Sequence, residues 1–319
     1  MKIKLAAEFE MIENYFKPLA GQAALGLSDD AAVLNCDNKY ELVMTTDAMV
    51  SGVHFFPDDS GYLVAKKLLR SNLSDLAAMG AQPLGYLMTL SLPENCFKKF
   101  WFESFVKGLK EDQEEFGFSL FGGDTTRNSV QQVFSLTMIG KVEKGKALRR
   151  NNAKPGDGLW VTGTLGDSAL GLLVLQGKIK DEYKELVDRY HIPQPRINLF
   201  ANDFASAGLD ISDGFIQDLG HLSRQSQVGA YIEVDRIPFS RQALKLKHDY
   251  LETCLTGGDD YELLLSIPPM FEEKALISSE RSGIPLTKIG WCTKEPEVVI
   301  FKDHFGNSLH FEKTGWSHI

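Results

Sequence analysis

Hydrophobic and polar positions change period repeatedly along the chain, and the changes mark out alternating strands and helices. Glu41–Val50 is apolar and β-prone up to a polar threshold at Thr45-Thr46-Asp47, which predicts a strand. Gly61–Met79 carries Leu63, Val64, Leu68, Leu73, Leu76 and Ala77 at helical spacing, interrupted by Lys67, and stops at Gly80. Leu84–Leu92 predicts a strand closed by Pro93. Phe97–Phe116 predicts an amphipathic helix, its lysines and glutamates interleaved with aromatics. Phe118–Phe121 and Val133–Val142 are β-rich runs.

The polar stretch Arg149–Gly158 has no periodicity and holds Pro155, Gly156 and Gly158, the composition of a boundary. Beyond it a second series begins: strand Leu159–Thr162, helices to Ala207, strand Leu209–Ser212 and a helix to about Gln225. Strands follow near Tyr231–Val234, Leu263–Ile267, Lys288–Trp291 and Val298–Phe301. The pattern predicts a mixed α/β protein in two halves, residues 1–148 and 149–319.

Composition narrows the class. Of 319 residues 43% are hydrophobic and 24% charged, the make-up of a globular chain rather than a disordered one. With 34 basic and 43 acidic side chains the net charge is −9, which argues against a dedicated nucleic-acid binder. No apolar run reaches the roughly 20 residues that cross a bilayer. The first residues, MKIKLAAEFEMIENYF, carry acids and lack a leader's apolar core. Cys36, Cys96, Cys254 and Cys292 are scattered, with no zinc or disulfide spacing. A protein without membrane segments, in a reducing, cytoplasmic setting, is the expectation.

Aspartates carry the chemistry. Six clusters place them beside Gly, Ser or Thr, and most are expected where a strand gives way to a helix: Ser28-Asp29-Asp30, Thr45-Thr46-Asp47, Asn72–Asp75, Gly122–Thr126, Asp210–Gly214 and Gly257–Glu262. One such cluster is an ordinary helix cap or turn. Six together predict converging carboxylates and hydroxyls, an oxygen-rich site for a hard divalent cation such as magnesium, with glycines that let phosphate approach the backbone. There is no phosphate loop of the G-x-x-x-x-G-K-[ST] type and no protein-kinase motif set. Gly156–Gly171 reads instead as a strand, a turn and a helix capped at Asp167 or Ser168. No cluster follows the calcium-loop pattern of an EF-hand, which weighs against a calcium-binding module.

In order, SDDAAVL (28–34), TTDAMVSGVHF (45–55), NLSDLAAMGAQP (72–83), GGDTTR (122–127), LRRNNAKPGD (148–157), DISDGF (210–215) and GGDDYELLL (257–265) resemble the thiamine-monophosphate kinase family. That family belongs to the aminoimidazole ribonucleotide synthetase superfamily. The resemblance runs from near residue 21 to the carboxyl terminus. It implies transfer of the ATP γ-phosphoryl group onto thiamine monophosphate, in an aminoimidazole ribonucleotide synthetase-like fold. The amino-terminal half would form a barrel across a homodimer, and the other half would close over the nucleotide. By matching positions it implies magnesium ligands at Asp30, Thr45, Thr46, Asp47, Asp75, Asp124, Asp210 and Asp213. Nucleotide contacts fall on Gly123, Asp124, Arg150 and Ser212, and substrate contacts on His54, Asp259, Glu262 and Trp316.

The chain departs from the family pattern at Ser28, where glycine is usual, and at Asp259, where glutamate is usual. Near Val106 the family often has a tyrosine against the adenine. Within the superfamily a ribonucleotide cyclo-ligase is the alternative. Selenophosphate synthetase fits less well, since residues 1–28 contain no Cys.

Overall fold

The computed structural model describes residues 22–94, 98–180 and 184–317. Met1–Phe16, Cys96 and Phe97 fall outside that range. The first half builds a five-stranded sheet from β1 (Ala32–Asn35), β2 (Tyr40–Val50), β3 (Gln82–Pro93), β4 (Ser119–Asn128) and β5 (Val133–Glu143), in the order β1-β2-β5-β3-β4. Among its described strands only β3 and β4 run parallel to each other. Every second residue of β5 is buried, so one sheet face meets the core. That face is covered by α1 (Gly61–Ala78), which in turn packs on α2 (Lys99–Phe116).

The second half builds a seven-stranded sheet from β6 (Gly158–Thr162), β7 (Ala207–Ile211), β8 (Gly229–Glu233), β9 (Glu262–Ile267), β10 (Leu286–Thr293), β11 (Val299–Lys302) and β12 (Ser308–Leu309). Their order is β12-β11-β8-β10-β6-β9-β7. Its helices are α3 (Asp167–Leu175), α4 (Lys184–His191), α5 (Phe215–Ser226), α6 (Arg241–Thr256) and α7 (Glu272–Ser282). Strands β6, β7 and β9 are buried along their whole length, because α1 lies against one side of this sheet and the second half's own helices against the other.

Helix α1 is the pivot. Ser60 caps its start by accepting the Leu63 N–H, and the chain leaves it through Gly80 at φ +68°. It touches β2 and β5 on one side and β7 and β9 on the other. Wedged between two sheets, it buries nearly its whole circumference, Lys66, Lys67 and Arg70 included. One hydrophobic core accordingly runs from Leu68, Leu76 and Phe134 through to Trp160, Leu263 and Leu265.

Several expectations need correction. Thr45–Asp47 lies inside β2, Asn72–Asp75 inside α1, and Gly122–Thr126 inside β4, which runs well past Phe121. β-branched threonines extend the strands, and burial on α1 overrides the capping habit of Asn, Ser and Asp. Among the described clusters only Asp210–Gly214 sits where a strand hands over to a helix. Helix α3 is entered through Gly166 at φ +80° with no side-chain cap, so Asp167 and Ser168 fill its first turn instead. Helices α6 and α7 were not expected, although Ala243, Leu246, Tyr250, Cys254 and Leu255 of α6 stand at helical spacing and pack on the core of the second half. The five-stranded sheet is open, with β1 and β4 as edges, and no closed barrel forms among the described residues of one chain.

Candidate active site

One stripe of α1 organises the site. Lys67, Ser71, Ser74 and Asp75 are spaced to share a helix face, and each grips a group on another element. Lys67 Nζ donates to Asp259 Oδ2 at 2.8 Å, and the Ser71 hydroxyl faces the Asp47 carboxylate closely enough to lower its pKa against the burial that raises it. Ser74 Oγ donates to Asp210 Oδ2 at 2.7 Å, and Thr45 Oγ1 on β2 donates to Asp75 Oδ2 at 2.6 Å. The turn before β1 adds Asp29 and Asp30. Asp30 receives the Arg150 guanidinium, while Asp29 accepts the Arg150 N–H at 2.8 Å and Arg149 Nε at 3.1 Å. Ser28 takes no left-handed φ; Leu25 and Leu27 do, and Ser28 Oγ donates to the Leu25 carbonyl at 2.7 Å.

Carboxylates from both halves therefore converge. Oxygens of Asp30, Asp75 and Asp210 lie within 4.8 Å of one another. Burial, with Asp47, Asp210 and Asp30 as neighbours, holds the Asp75 carboxyl well above the usual carboxylate range. Burial and Asp30 do the same to Asp210, and burial chiefly raises Asp47. Against them stands the partly buried Arg150, whose own affinity for its proton is raised by Asp30. Clustered hard oxygens with too little positive charge suit a divalent cation of the magnesium type, and by that test the residues fit one. Next to them Asp213, Asp218 and His221 also gather within 4.8 Å. Asp218 accepts the N–H groups of Asp213 and Gly214, fixing the entry to α5, and burial beside Arg150 pushes His221 down to about 3. Sequence reasoning passed over Asp218 and His221 because they sit on the inner face of a helix.

Beside the carboxylates opens a cavity of about 770 Å³. Its lining combines the polar Thr46, Asp47, Ser71, Ser212, Asp213 and Asp259 with the apolar Met49, Val50, Val53, Leu172, Leu173 and Trp316. His54 lines it too, its Nδ1 accepting the Val50 N–H at 3.0 Å. Trp316 is half exposed and tied down through its backbone: its N–H donates to the Asp213 carbonyl and its carbonyl accepts Gln217 Nε2, both at 2.8 Å.

Three expected residues lie elsewhere. Glu262 is 0% exposed, outside the cavity lining, and clamped by Arg189 and Arg196, with Thr162 Oγ1 at 2.6 Å. Gly123 and Asp124 lie on exposed β4. The register sets Asp47 opposite Leu136, Leu136 opposite Met88, and Met88 opposite Gly123. Three strand spacings, about 14 Å, therefore separate Gly123 from Asp47 within one chain. Val106 is likewise exposed, on the outer face of α2.

Comparison with known proteins agrees with this architecture. Residues 28–142 match the family "AIR synthase related protein, N-terminal domain", and residues 154–303 match "AIR synthase related protein, C-terminal domain". The thiamine-monophosphate kinase of Salmonella typhimurium is 38% identical over 323 residues, covering 98% of each chain. That of Bacillus subtilis is 32% identical over 335 residues, covering 98% of this chain and 99% of the other. A solved structure of AaThiL complexed with AMPPCP and TMP superposes with a TM-score of 0.84 at 30% identity, covering 100% of this chain and 99% of that one. The thiamine-monophosphate kinase structure from Stenotrophomonas maltophilia gives 0.79 at 36% identity, covering 95% and 98%. The two matched halves define an AIR synthase related protein. Within that class the chain belongs to the thiamine-monophosphate kinase family.

Proposed function

We propose that this protein transfers the γ-phosphoryl group of ATP directly onto the phosphate of thiamine monophosphate, giving thiamine diphosphate and ADP. The observation that carries the reading is the convergence of Asp30, Asp75 and Asp210, from both halves of the chain, next to a cavity lined by both polar and apolar side chains. Kinase relatives at 32–38% identity over nearly the whole chain, and the AaThiL complex with AMPPCP and TMP, support the substrates.

Magnesium ions, held by Asp30, Thr45, Thr46, Asp47, Asp75, Asp210 and Asp213, would neutralise the phosphates and stabilise charge on the transferring oxygens. The rest falls to the chain. The attacking oxygen belongs to an already ionised phosphate, so no side chain need act as general base. Arg150 and Ser212 are assigned to the nucleotide phosphates, the arginine as an always-charged fork that Asp30 orients. His54 and Asp259 line the acceptor end, Trp316 offers a face to a flat heteroaromatic ring, and Glu262 serves the fold rather than the substrate.

Gly123 and Asp124 are assigned to the nucleotide and metal of a partner protomer. Leu87, Leu120 and Phe121 are exposed around the same edge strand, which supports a homodimer formed by the first half. Residues 1–148 and 149–319 are the two proposed domains. A cytoplasmic setting follows from the need for ATP; no described helix is long and apolar enough to cross a membrane. The test is product formation from ATP, thiamine monophosphate and magnesium, with Asp47→Asn expected to abolish it. A chain that makes no thiamine diphosphate refutes the proposal.

A further inference from the structure

We infer that Lys67 is a positioning residue for the acceptor end of the cavity, one ammonium group that fixes three separate walls of the substrate site; the inference rests on the kinase reading. Lys67 is 2% exposed and does not line the cavity. An ammonium has three N–H donors, and here each has its own partner. Asp259 Oδ2 accepts at 2.8 Å, the His54 carbonyl accepts at 3.0 Å, and the Tyr190 ring lies with its centroid 3.7 Å away.

Those partners come from three segments: the turn after β2, the end of α4, and the loop entering β9. His54, Tyr190 and Asp259 all line the cavity. The arrangement is closed by two more bonds. The Tyr190 hydroxyl donates to the same His54 carbonyl at 3.3 Å, and the Tyr261 hydroxyl donates to Asp259 Oδ1 at 3.1 Å.

The loop needs such a tie. Asp259 and Tyr261 both adopt left-handed backbone, at φ +70° and +51°, which persists only where the surroundings over-determine it. Backbone bonds from Asp259 to Ser212 and from Tyr261 to Ile211, both 2.8 Å, hold the loop to β7 and the residue beyond it. Lys67 alone among these contacts reaches it from the first half, across 192 residues of sequence. A lysine between two sheets is costly to desolvate, and an apolar side chain would pack α1 at lower cost. What the lysine supplies instead is a fixed spacing between His54 and Asp259. A contact group displaced by an ångström loses substrate affinity.

The experiment varies thiamine monophosphate and ATP separately for the wild type, Lys67→Met, Lys67→Arg, Asp259→Asn and the double variant Lys67→Met with Asp259→Asn, with thermal melting as the folding control. Lys67→Met is expected to raise the KM for thiamine monophosphate about tenfold or more, with the KM for ATP within about twofold and a smaller fall in kcat. Lys67→Arg is expected to recover most of the loss, and adding Asp259→Asn to Lys67→Met to cost little more than either alone. If Lys67→Met does not fold, selective loss of acceptor affinity in Asp259→Asn and its near absence in Lys67→Arg carry the decision. An unchanged acceptor KM, an equal rise in both KM values, an arginine variant no better than methionine, or additive losses overturn the inference. An inactive wild type overturns the kinase reading and this inference with it, whereas an active wild type indifferent to Lys67 overturns the inference alone.

Discussion

At the scale of single residues, Glu262 shows how chemistry in a sequence can point the wrong way. Its place in GGDDYELLL suggests a substrate-contacting acid, yet Arg189 and Arg196 converge on it from residues 66–73 positions away, and it has no exposure. Nothing local in the sequence announces those partners. Breaking a buried ion pair by removing one charge leaves the others uncompensated. Glu262→Gln is therefore expected to lower the free energy of unfolding by about 3–5 kcal/mol, read from urea denaturation. An unchanged midpoint would show that the two arginines do not depend on it. Asp30, Asp47, Asp75 and Asp210, by contrast, were legible as residues. Their type and neighbours announced oxygen donors, and the fold added which of them meet.

Elements carried a different share of the information. Helix α1 was visible from its apolar spacing almost to the residue, because a buried helix keeps its period. Its lysine, Lys67, interrupts that period and ties α1 to the loop entering β9 through Asp259. The aspartate clusters misled about their settings, since Ser, Thr and Asp favour caps in isolation while burial decides in the fold. Strand β4 is the sharpest case. Its GGDTTR stretch reads as a turn, yet it continues the strand as an exposed edge beside Leu87. Exposed edges with apolar side chains seek partners. The double change Leu120→Lys with Phe121→Asp is expected to convert a dimer to a monomer in light scattering and to remove activity. A dimer that survives it would place the interface elsewhere.

For the whole molecule, the net charge of −9 is not a uniform coat. Part of it is a buried group of carboxylates shared between the two halves, at Asp30, Asp75, Asp210 and Asp218. The carboxyls of Asp75, Asp210 and Asp218 are raised well above 3.8, so the folded chain holds their protons more tightly than the unfolded chain does. Their contribution to stability is complete below the unfolded value and is lost as pH rises through the raised values. The melting temperature in a chelator is expected to fall as pH rises above the unfolded carboxylate range, and by more than in saturating magnesium, since a cation that binds only the folded chain adds stability by mass action. Parallel curves with and without magnesium would mean that the carboxylates do not hold it.

The central claim is direct phosphoryl transfer between two phosphates, and its closest test follows the phosphorus. With ATP labelled at the γ-position, thiamine monophosphate and magnesium, label is expected in the terminal phosphate of thiamine diphosphate, one for each ADP formed. Label recovered only as inorganic phosphate, or no thiamine diphosphate at all, would contradict the account.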